Sequence, residues 1–236
     1  MLALCEMAGP SRLTPRTARA VVAVALAFLC GAATALAGDD DATVHHPFDD
    51  PKRWSAVFDD PARDAWQKPD ALVAALGLRP GMVVADLGAG TGYFSRRLSR
   101  AVGEGGAVLA IEVEPKLVEH LRERAEKESS ANVVPVLASA DNPRLPPGGV
   151  DLVLVVDTVH HIDGRVAYFR RMARALRPGG RIAIVDWKKE PLPVGPPPEH
   201  KLERDQVVDE MTRAGYALAE SPDLLPYQYV LIFRPA

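Results

Sequence analysis

The sequence predicts a doubly wound α/β fold with a mostly parallel sheet that ends in an antiparallel hairpin. From residue 83 onward, short apolar runs typical of buried strands alternate with charged, periodic segments typical of helices. Because consecutive parallel strands need a crossover connection, this alternation indicates a parallel sheet with helices on both faces. Only the short link Ser221–Gln228 joins the last two apolar runs, which favours antiparallel pairing at one edge.

Each element has its own local signal. The run Val150–Val156 has no polar residue after Asp151, so we expect a central strand that is buried on both faces. Glycine and proline are expected to end the helices, as at Gly103 and in Arg177-Pro178-Gly179-Gly180. The predicted strands are Val83–Leu87, Ala107–Glu112, Val133–Ala138, Val150–Val156, Arg181–Trp187, Ala217–Glu220 and Tyr229–Phe233. The predicted helices are Pro69–Leu78, Thr91–Val102, Pro115–Lys127, Val166–Leu176 and Arg204–Ala214.

The first 37 residues differ from the rest of the chain. Three arginines precede an apolar run over residues 20–37, which ends Ala35-Leu36-Ala37 and is followed by Gly38 and three aspartates. This pattern predicts a secretory signal peptide over residues 1–37 and export of the mature protein to the periplasm or beyond. The alternatives are an uncleaved anchor that associates with the membrane through residues 20–37, and a misassigned start codon of a cytoplasmic protein.

Residues 38–68 are polar and interrupted by prolines, yet they contain Trp54, Phe58 and Trp66. Large aromatic side chains in a polar segment usually dock on a neighbouring domain, so we expect this segment to dock or to act as a lid. Both cysteines lie in the leader, which excludes disulfides and cysteine chemistry from the mature chain. The net charge of −3 argues against a general nucleic-acid-binding protein that relies on a basic surface.

The most informative segment is the glycine-rich turn that follows the first predicted strand. Gly88, Gly90 and Gly92 occupy alternate positions there, and glycine permits both positive φ and the close approach of a ligand to the backbone. A dinucleotide site needs a glycine where this chain has Tyr93, and Asp86 would repel a pyrophosphate. The same carboxylate favours a ligand that carries an ammonium or a sulfonium group.

This turn and three further motifs resemble those of the class I S-adenosylmethionine-dependent methyltransferases, over roughly Trp66–Phe233. The further motifs are, in order, Ala110-Ile111-Glu112-Val113, Ala140-Asp141 and Arg177-Pro178-Gly179-Gly180. The resemblance implies a Rossmann-like seven-stranded sheet, S-adenosylmethionine as cofactor and a methyltransferase domain over residues 69–236. Within the family, the chain is most similar to small-molecule enzymes of the quinone-biosynthesis type.

The resemblance also implies roles for individual residues. The carboxylate of Asp86 is expected to help hold the methionine end of the cofactor, and that of Glu112 to accept hydrogen bonds from both ribose hydroxyls. Asp141 is expected near the adenine amino group, with a simple turn-forming role as the alternative. The predicted cofactor-binding residues are Asp86, Gly88, Ala89, Gly90, Gly92, Glu112, Asp141 and Asp157.

The fourth predicted strand ends in a polar segment where the methyl acceptor is expected, because ligands of α/β sheets bind at the carboxyl ends of the strands. Asp157, His160 and His161 lie there, and both histidines are candidate catalytic residues if the acceptor must lose a proton. The alternative is a histidine at a helix start that bonds to the backbone. Amino-methylating branches of the family carry Asn/Asp-Pro-Pro-aromatic at this point, so its absence here favours an oxygen or carbon acceptor.

The sequence therefore predicts a methyltransferase that acts on a small molecule. Two alternatives stay open, namely an exported protein that binds the cofactor without catalysis and a nicotinamide-dependent oxidoreductase. The proline-rich segment after Trp187 is either one wall of the acceptor pocket or a surface connector. His45-His46 beside Asp49-Asp50 does not predict a metal site, because adjacent histidines of an extended chain point apart.

Overall fold

The computed structural model describes residues 48–236, so the predicted leader and the first part of the predicted docking segment lie outside the described residues. The helices are α1 (Pro51–Phe58), α2 (Arg63–Gln67), α3 (Pro69–Ala75), α4 (Ser95–Val102), α5 (Pro115–Lys127), α6 (Arg165–Met172) and α7 (Arg204–Arg213). The strands are β1 (Val83–Leu87), β2 (Ala107–Glu112), β3 (Val133–Leu137), β4 (Val150–Val156), β5 (Leu176–Trp187), β6 (Tyr216–Glu220) and β7 (Gln228–Pro235). From residue 48 to the C-terminus, no helix combines the length and the apolar character that crossing a membrane requires.

The strands form one seven-stranded sheet in the order β3-β2-β1-β4-β5-β7-β6. The pairs β2–β3, β1–β2, β1–β4 and β4–β5 are parallel, whereas β7 runs antiparallel to both β5 and β6. The predicted fold class is therefore confirmed, together with the antiparallel C-terminal hairpin. β4 is the middle strand, and residues 152–155 within it have no exposed surface, as predicted for a central strand.

The side chains of β4 alternate between two hydrophobic layers, one on each face of the sheet. Val153 and Val155 belong to the layer that includes residues of α6 and α7. Leu152 and Leu154 belong to the layer that includes residues of α3 and α4. Each fully buried aliphatic side chain stabilises the fold by about 1.5–3 kcal/mol, so this double layer holds the carboxyl ends of the central strands in place.

Two predicted helix boundaries are wrong, namely the start of α4 after the glycine-rich turn and the end of α3 before β1. α4 begins at Ser95 and not at Thr91, because the φ angles of Gly90 and Gly92 are +55° and +88°, which a right-handed helix cannot accommodate. α3 ends at Ala75 and not at Leu78, because Gly77 adopts a φ of +59° and terminates the helix. By contrast, β1, β2, β4 and α5 have the predicted bounds.

The predicted junction between α6 and β5 is also wrong. α6 ends at Met172, a short 3₁₀ turn follows, and Leu176 already pairs with Val150 of β4. Residues 177–180 then bulge out of the strand before Arg181 resumes the pairing, opposite Leu152. The glycines of this segment therefore form a bulge inside β5, where the prediction placed a helix end.

The two helices before α3 were not predicted. Prolines in a polar segment predict interruptions, but Pro51 occupies the first turn of α1, where a missing N–H costs nothing. The carboxylate of Asp50 caps this helix by accepting a hydrogen bond from the backbone N–H of Arg53 at 3.1 Å.

Candidate active site

Four carboxylates from neighbouring strands lie at the carboxyl edge of the sheet. Asp86 lies near the end of β1, Glu112 ends β2, Asp157 follows β4 and Asp186 lies near the end of β5. The strand order reverses between β1 and β4, which is the place where open α/β sheets bind their ligands. The fold thus brings three of the predicted site carboxylates together and adds a fourth, Asp186.

The glycine-rich turn has the conformation expected for it, with positive φ at all three glycines. Two of the glycines are required by the packing of the protein itself. A Cβ at Gly88 would lie 2.3 Å from Oγ1 of Thr158, and a Cβ at Gly92 would lie 2.9 Å from a methyl group of Leu121. The φ angles are +73° at Gly88, +55° at Gly90 and +88° at Gly92.

The middle of this turn lies under the N-terminal segment. A Cβ at Gly90 would lie 3.4 Å from the ring of Phe58, at the end of α1, so α1 covers the turn. The side chain of Ala89 is buried in the core, and its predicted role in the floor of the site stays a prediction. Oγ1 of Thr91 is buried without a hydrogen-bond partner among residues 48–236.

Asp86 is a buried carboxylate whose hydrogen-bond donor is the hydroxyl of Ser95, at 2.6 Å. Burial, assisted by the nearby charge of Glu112, raises the pKa of Asp86 to about 6, against the effects of Ser95 and Arg63. A cation that enters the site would therefore stabilise the ionised form of Asp86.

Glu112 is turned towards the backbone rather than towards solvent. Oε1 accepts from the backbone N–H groups of Val113 at 2.7 Å and Glu114 at 3.2 Å, and Oε2 accepts from that of Gly90 at 2.9 Å. Burial raises the pKa of Glu112, and these three donors oppose the rise. Because each carboxylate oxygen has two lone pairs, Oε2 retains one for a further donor.

Asp141 lies apart from this group, on the turn after β3. Its carboxylate is exposed and accepts a hydrogen bond from the hydroxyl of Ser139 at 2.7 Å, which lowers the pKa of Asp141. Ser139 and Asn142 also form an isolated bridge. The contact with adenine stays a prediction, and the turn-forming alternative has these contacts in its favour.

Asp157 belongs to a closed ring of four hydrogen-bonded side chains. Arg63 donates to Oδ2 of Asp157 at 3.1 Å and to Oε1 of Gln67 at 3.2 and 3.0 Å. Gln67 donates to Oε1 of Gln228 at 2.6 Å, and Gln228 donates to Oδ1 of Asp157. The ring joins α2 to β4 and β7, and burial raises the pKa of Asp157 to about 7, against the effect of Arg63.

His160 is buried and paired with Asp186. Nδ1 of His160 lies 2.9 Å from each carboxylate oxygen of Asp186, and Oδ1 of Asp186 also accepts from the backbone N–H of Trp187. Burial lowers the pKa of His160, but the adjacent Asp186 and the nearby Asp157 outweigh this effect, so the pKa is raised. The structure thus supplies a histidine with a fixed orientation at the expected place of the acceptor.

His161 connects this pair to the N-terminal segment. Its ring centroid lies 4.2 Å from that of His160 and 5.6 Å from that of Phe48, in an edge-on arrangement. Phe48 also packs against Trp54 at 4.7 Å, and Trp54 packs against Phe58 at 5.2 Å. The part of the docking segment that the structure describes therefore extends from the glycine-rich turn to the histidines.

Three aromatic side chains pack together at the carboxyl end of β5 and form what we call the aromatic wall: Trp66, Trp187 and Tyr227. The ring centroid of Trp66 lies 5.1 Å from that of Trp187 and 6.4 Å from that of Tyr227. The proline-rich loop lies against the wall, since a Cβ at Gly195 would lie 2.8 Å from the ring of Trp187. Trp66 therefore packs at the carboxyl end of β5.

Sequence reasoning missed several side chains of this site. Asp186 is a polar residue near the end of an apolar strand, the same signal that identified Asp86 and Glu112, so it could have been found. Arg63 and Gln228 carry no local signal, because they reach Asp157 from opposite ends of the chain.

The comparisons with known proteins agree with this geometry. Residues 84–180 match the family described as a methyltransferase domain. The ubiquinone/menaquinone biosynthesis C-methyltransferase UbiE of Shewanella pealeana is 29% identical over 133 residues, which cover 56% of this chain and 50% of the relative. The protein of the same name from Shewanella sp. (strain ANA-3) is 30% identical over 132 residues, 54% of this chain and 48% of the relative. The match spans about half the length of these curated relatives.

One solved structure matches a larger part of this chain than these relatives do. The crystal structure of a SAM-dependent methyltransferase from Aquifex aeolicus is 29% identical, has a TM-score of 0.75, and covers 79% of this chain and 99% of that chain. Together with this sheet order and the glycine-rich turn, these findings support the predicted class, the class I S-adenosylmethionine-dependent methyltransferases. The cofactor of this class is S-adenosylmethionine. The roles predicted for individual side chains stay predictions.

The residues at the carboxyl edge fit this cofactor, which carries an ammonium group, a sulfonium group and a ribose diol. Among residues 48–236, the buried carboxylate of Asp86 has no cationic hydrogen-bond partner and Oε2 of Glu112 accepts a single hydrogen bond, which leaves it one lone pair. Within the glycine-rich turn, the buried hydroxyl of Thr91 has no hydrogen-bond partner among the described residues. The unmet hydrogen-bonding capacity of the turn is thus of the kind that a polar, cationic ligand would use.

Proposed function

We propose that this chain transfers the methyl group of S-adenosylmethionine to an oxygen or carbon atom of a small molecule, with His160 as the base. The observation that carries the proposal is the buried contact between His160 and Asp186, next to the end of β4. A histidine with Nδ1 held by a carboxylate accepts a proton at Nε2, in the same way as the histidine of a hydrolase triad.

The chain's own residues would hold the cofactor between β1, β2 and β4. Asp86 would attract its positive charges, and Glu112 would accept a hydrogen bond from the ribose at Oε2. When bound, S-adenosylmethionine supplies a methyl carbon on a sulfonium sulfur, which leaves as a neutral thioether. The protein's contribution to such a displacement is mainly alignment, which is worth about 7–11 kcal/mol in well-oriented reactions.

His160 would remove the proton that the acceptor loses when its oxygen or carbon gains the methyl group. The proton would move to Nε2, and the carboxylate of Asp186 would stabilise the imidazolium that forms. The pair thus supports acceptors that must be deprotonated. The relatives named UbiE are C-methyltransferases by name, which supports a carbon acceptor.

Two features support a small molecule as the acceptor. The net charge of −3 gives the chain no overall excess of positive charge, which does not favour a nucleic acid as the acceptor. The aromatic wall also lies at the carboxyl end of β5, where Trp66 packs against Trp187 and Tyr227. Aromatic walls with a few fixed polar groups are typical of small-molecule sites.

The test is a screen of phenols, quinols and carboxylic acids that measures S-adenosylhomocysteine formation by the wild type and by His160→Gln. We expect turnover with at least one acceptor and a fall in kcat of about 10²–10⁴-fold in the variant, the usual contribution of a general base. Cofactor affinity should stay within about twofold, since His160 lies on the acceptor side. An equal loss of both would show a structural role for His160, and cofactor binding without turnover on any acceptor would favour the non-catalytic alternative.

We further propose that the protein is exported and that its leader is removed. The support is the pattern of the first 37 residues, which lie outside the described structure. N-terminal sequencing of the protein from fractionated cells tests this. A periplasmic form that begins near Gly38 is expected, whereas a cytoplasmic form with an intact N-terminus would refute export.

A further inference from the structure

Lys201 is a buried cation on the acceptor side of the site. It follows the proline-rich loop that begins after β5, and its side chain has no exposed surface. Nζ donates to the backbone carbonyl of Glu190 at 2.8 Å and lies 6.0 Å from the ring centroid of Trp187. Lysine is rarely this buried unless its charge is paired.

The structure supplies the ammonium group with fewer acceptors than it can use. Of its three N–H donors, one has an acceptor within hydrogen-bond distance among residues 48–236, the carbonyl of Glu190. The carboxylate of Asp186 is already engaged by His160 and by the backbone of Trp187. Burial accordingly lowers the pKa of Lys201, against the weaker opposing effects of Glu190 and Asp186. The group therefore has donors in reserve for an anion.

Lys201 is close to two residues that the proposed methyl transfer involves. Asp186, whose charge acts on Lys201, is the partner of His160. Trp187, whose ring the ammonium group approaches, belongs to the aromatic wall. Lys201 thus lies near the carboxyl end of β5, the strand that also carries the partner of His160 and one ring of the aromatic wall.

We propose that Lys201 binds a carboxylate of the methyl acceptor, and that the acceptor is an aromatic acid whose ring lies against the aromatic wall. This inference rests on the proposed methyl transfer and adds the chemical class of its substrate. The two unused N–H groups of Lys201 would donate to the carboxylate oxygens, which satisfies both partners of a buried charge pair. The acceptor would then be held at its acid end, with its nucleophilic atom towards His160.

The test is a thermal-shift titration of the full chain saturated with S-adenosylhomocysteine, using benzoate and its neutral isostere benzamide as probes. We expect benzoate to raise the melting temperature at concentrations at least tenfold lower than benzamide. Lys201→Met should remove this preference, and Lys201→Arg should retain part of it. The matched control is Lys189→Met, which removes the same charge from an exposed position of the same loop and should behave as the wild type.

Each outcome decides the proposal. Equal effects of benzoate and benzamide on the wild type would overturn it without the need for any variant, and so would full benzoate binding by Lys201→Met. If the wild type does not bind S-adenosylhomocysteine at all, the proposed methyl transfer fails first. Normal S-adenosylhomocysteine binding without a preference for benzoate refutes the role of Lys201 alone.

Discussion

The imidazole of His160 lies against the carboxylate of Asp186, with Nδ1 2.9 Å from each of its two oxygens. His160 follows β4 and Asp186 belongs to β5, so the pair joins the ends of two adjacent parallel strands. Both side chains are buried, and the backbone N–H of Trp187 fixes the carboxylate from the other side. The histidine is therefore oriented by the fold before any ligand binds.

Asp186→Asn tests whether this contact sets the proton affinity of the base. The pKa of His160 is lowered by burial and raised by Asp186, with a net rise. Since the neutral imidazole is the active form, activity should increase as the pH rises through this pKa. Removal of the carboxylate's charge should lower the pKa and move the acidic limb of the kcat–pH profile to lower pH. A limb that stays in place or moves to higher pH contradicts the account.

Glu112→Ala tests the ribose contact. A hydrogen bond to a charged group contributes about 1.5–3 kcal/mol, so we expect the dissociation constant of S-adenosylmethionine to rise about tenfold or more. Calorimetric titration measures this, with Glu112→Gln as a control that keeps the shape of the side chain. Unchanged affinity in the alanine variant would exclude the ribose contact.

Asp86→Asn should make the unliganded protein more stable while weakening cofactor binding. Burial raises the pKa of Asp86 from 3.8 to about 6. The ionised carboxylate therefore destabilises the folded state above about pH 4, and this destabilisation grows until about pH 6. At about 1.4 kcal/mol per pKa unit, its removal should add up to about 3 kcal/mol at pH 7. Thermal unfolding of both proteins from pH 4 to pH 8 should show a difference that vanishes at low pH. A variant that is less stable at pH 7 would contradict this prediction.

Arg63→Met should loosen the N-terminal segment from the sheet. Arg63 donates to Asp157 and to Gln67, and charge-assisted hydrogen bonds contribute about 1.5–3 kcal/mol each. A double-mutant cycle with Asp157→Asn should give a coupling free energy of about 1–3 kcal/mol by denaturant unfolding. Limited proteolysis should cut the single variant faster within residues 48–68. Additive free energies would mean that the ion pair does not hold the segment.

The fold could be predicted from the sequence because its signals are local. The apolar strand Val150–Val156 and the helix Pro115–Lys127 carry their own periodicity, and the structure has both with the predicted bounds. Where a glycine or proline had two possible roles, the prediction failed. Pro51 begins a helix that was not expected, and Gly179 lies in a strand bulge and not at a helix end.

The site could be predicted only where a side chain lies close in sequence to a strand end. Asp86, Glu112, Asp157 and His160 satisfy this condition, and all lie at the carboxyl edge. Arg63 and Lys201 lie on segments whose position is set by tertiary contacts, so no pattern in the chain placed them beside Asp157 and Trp187, respectively.

The most direct test of the account is calorimetric titration of the protein with S-adenosylmethionine, S-adenosylhomocysteine and NAD. We expect micromolar binding of both adenosyl ligands at one site per chain and no binding of NAD. Failure of the folded protein to bind either adenosyl ligand would contradict the account, and binding of NAD alone would favour the oxidoreductase alternative.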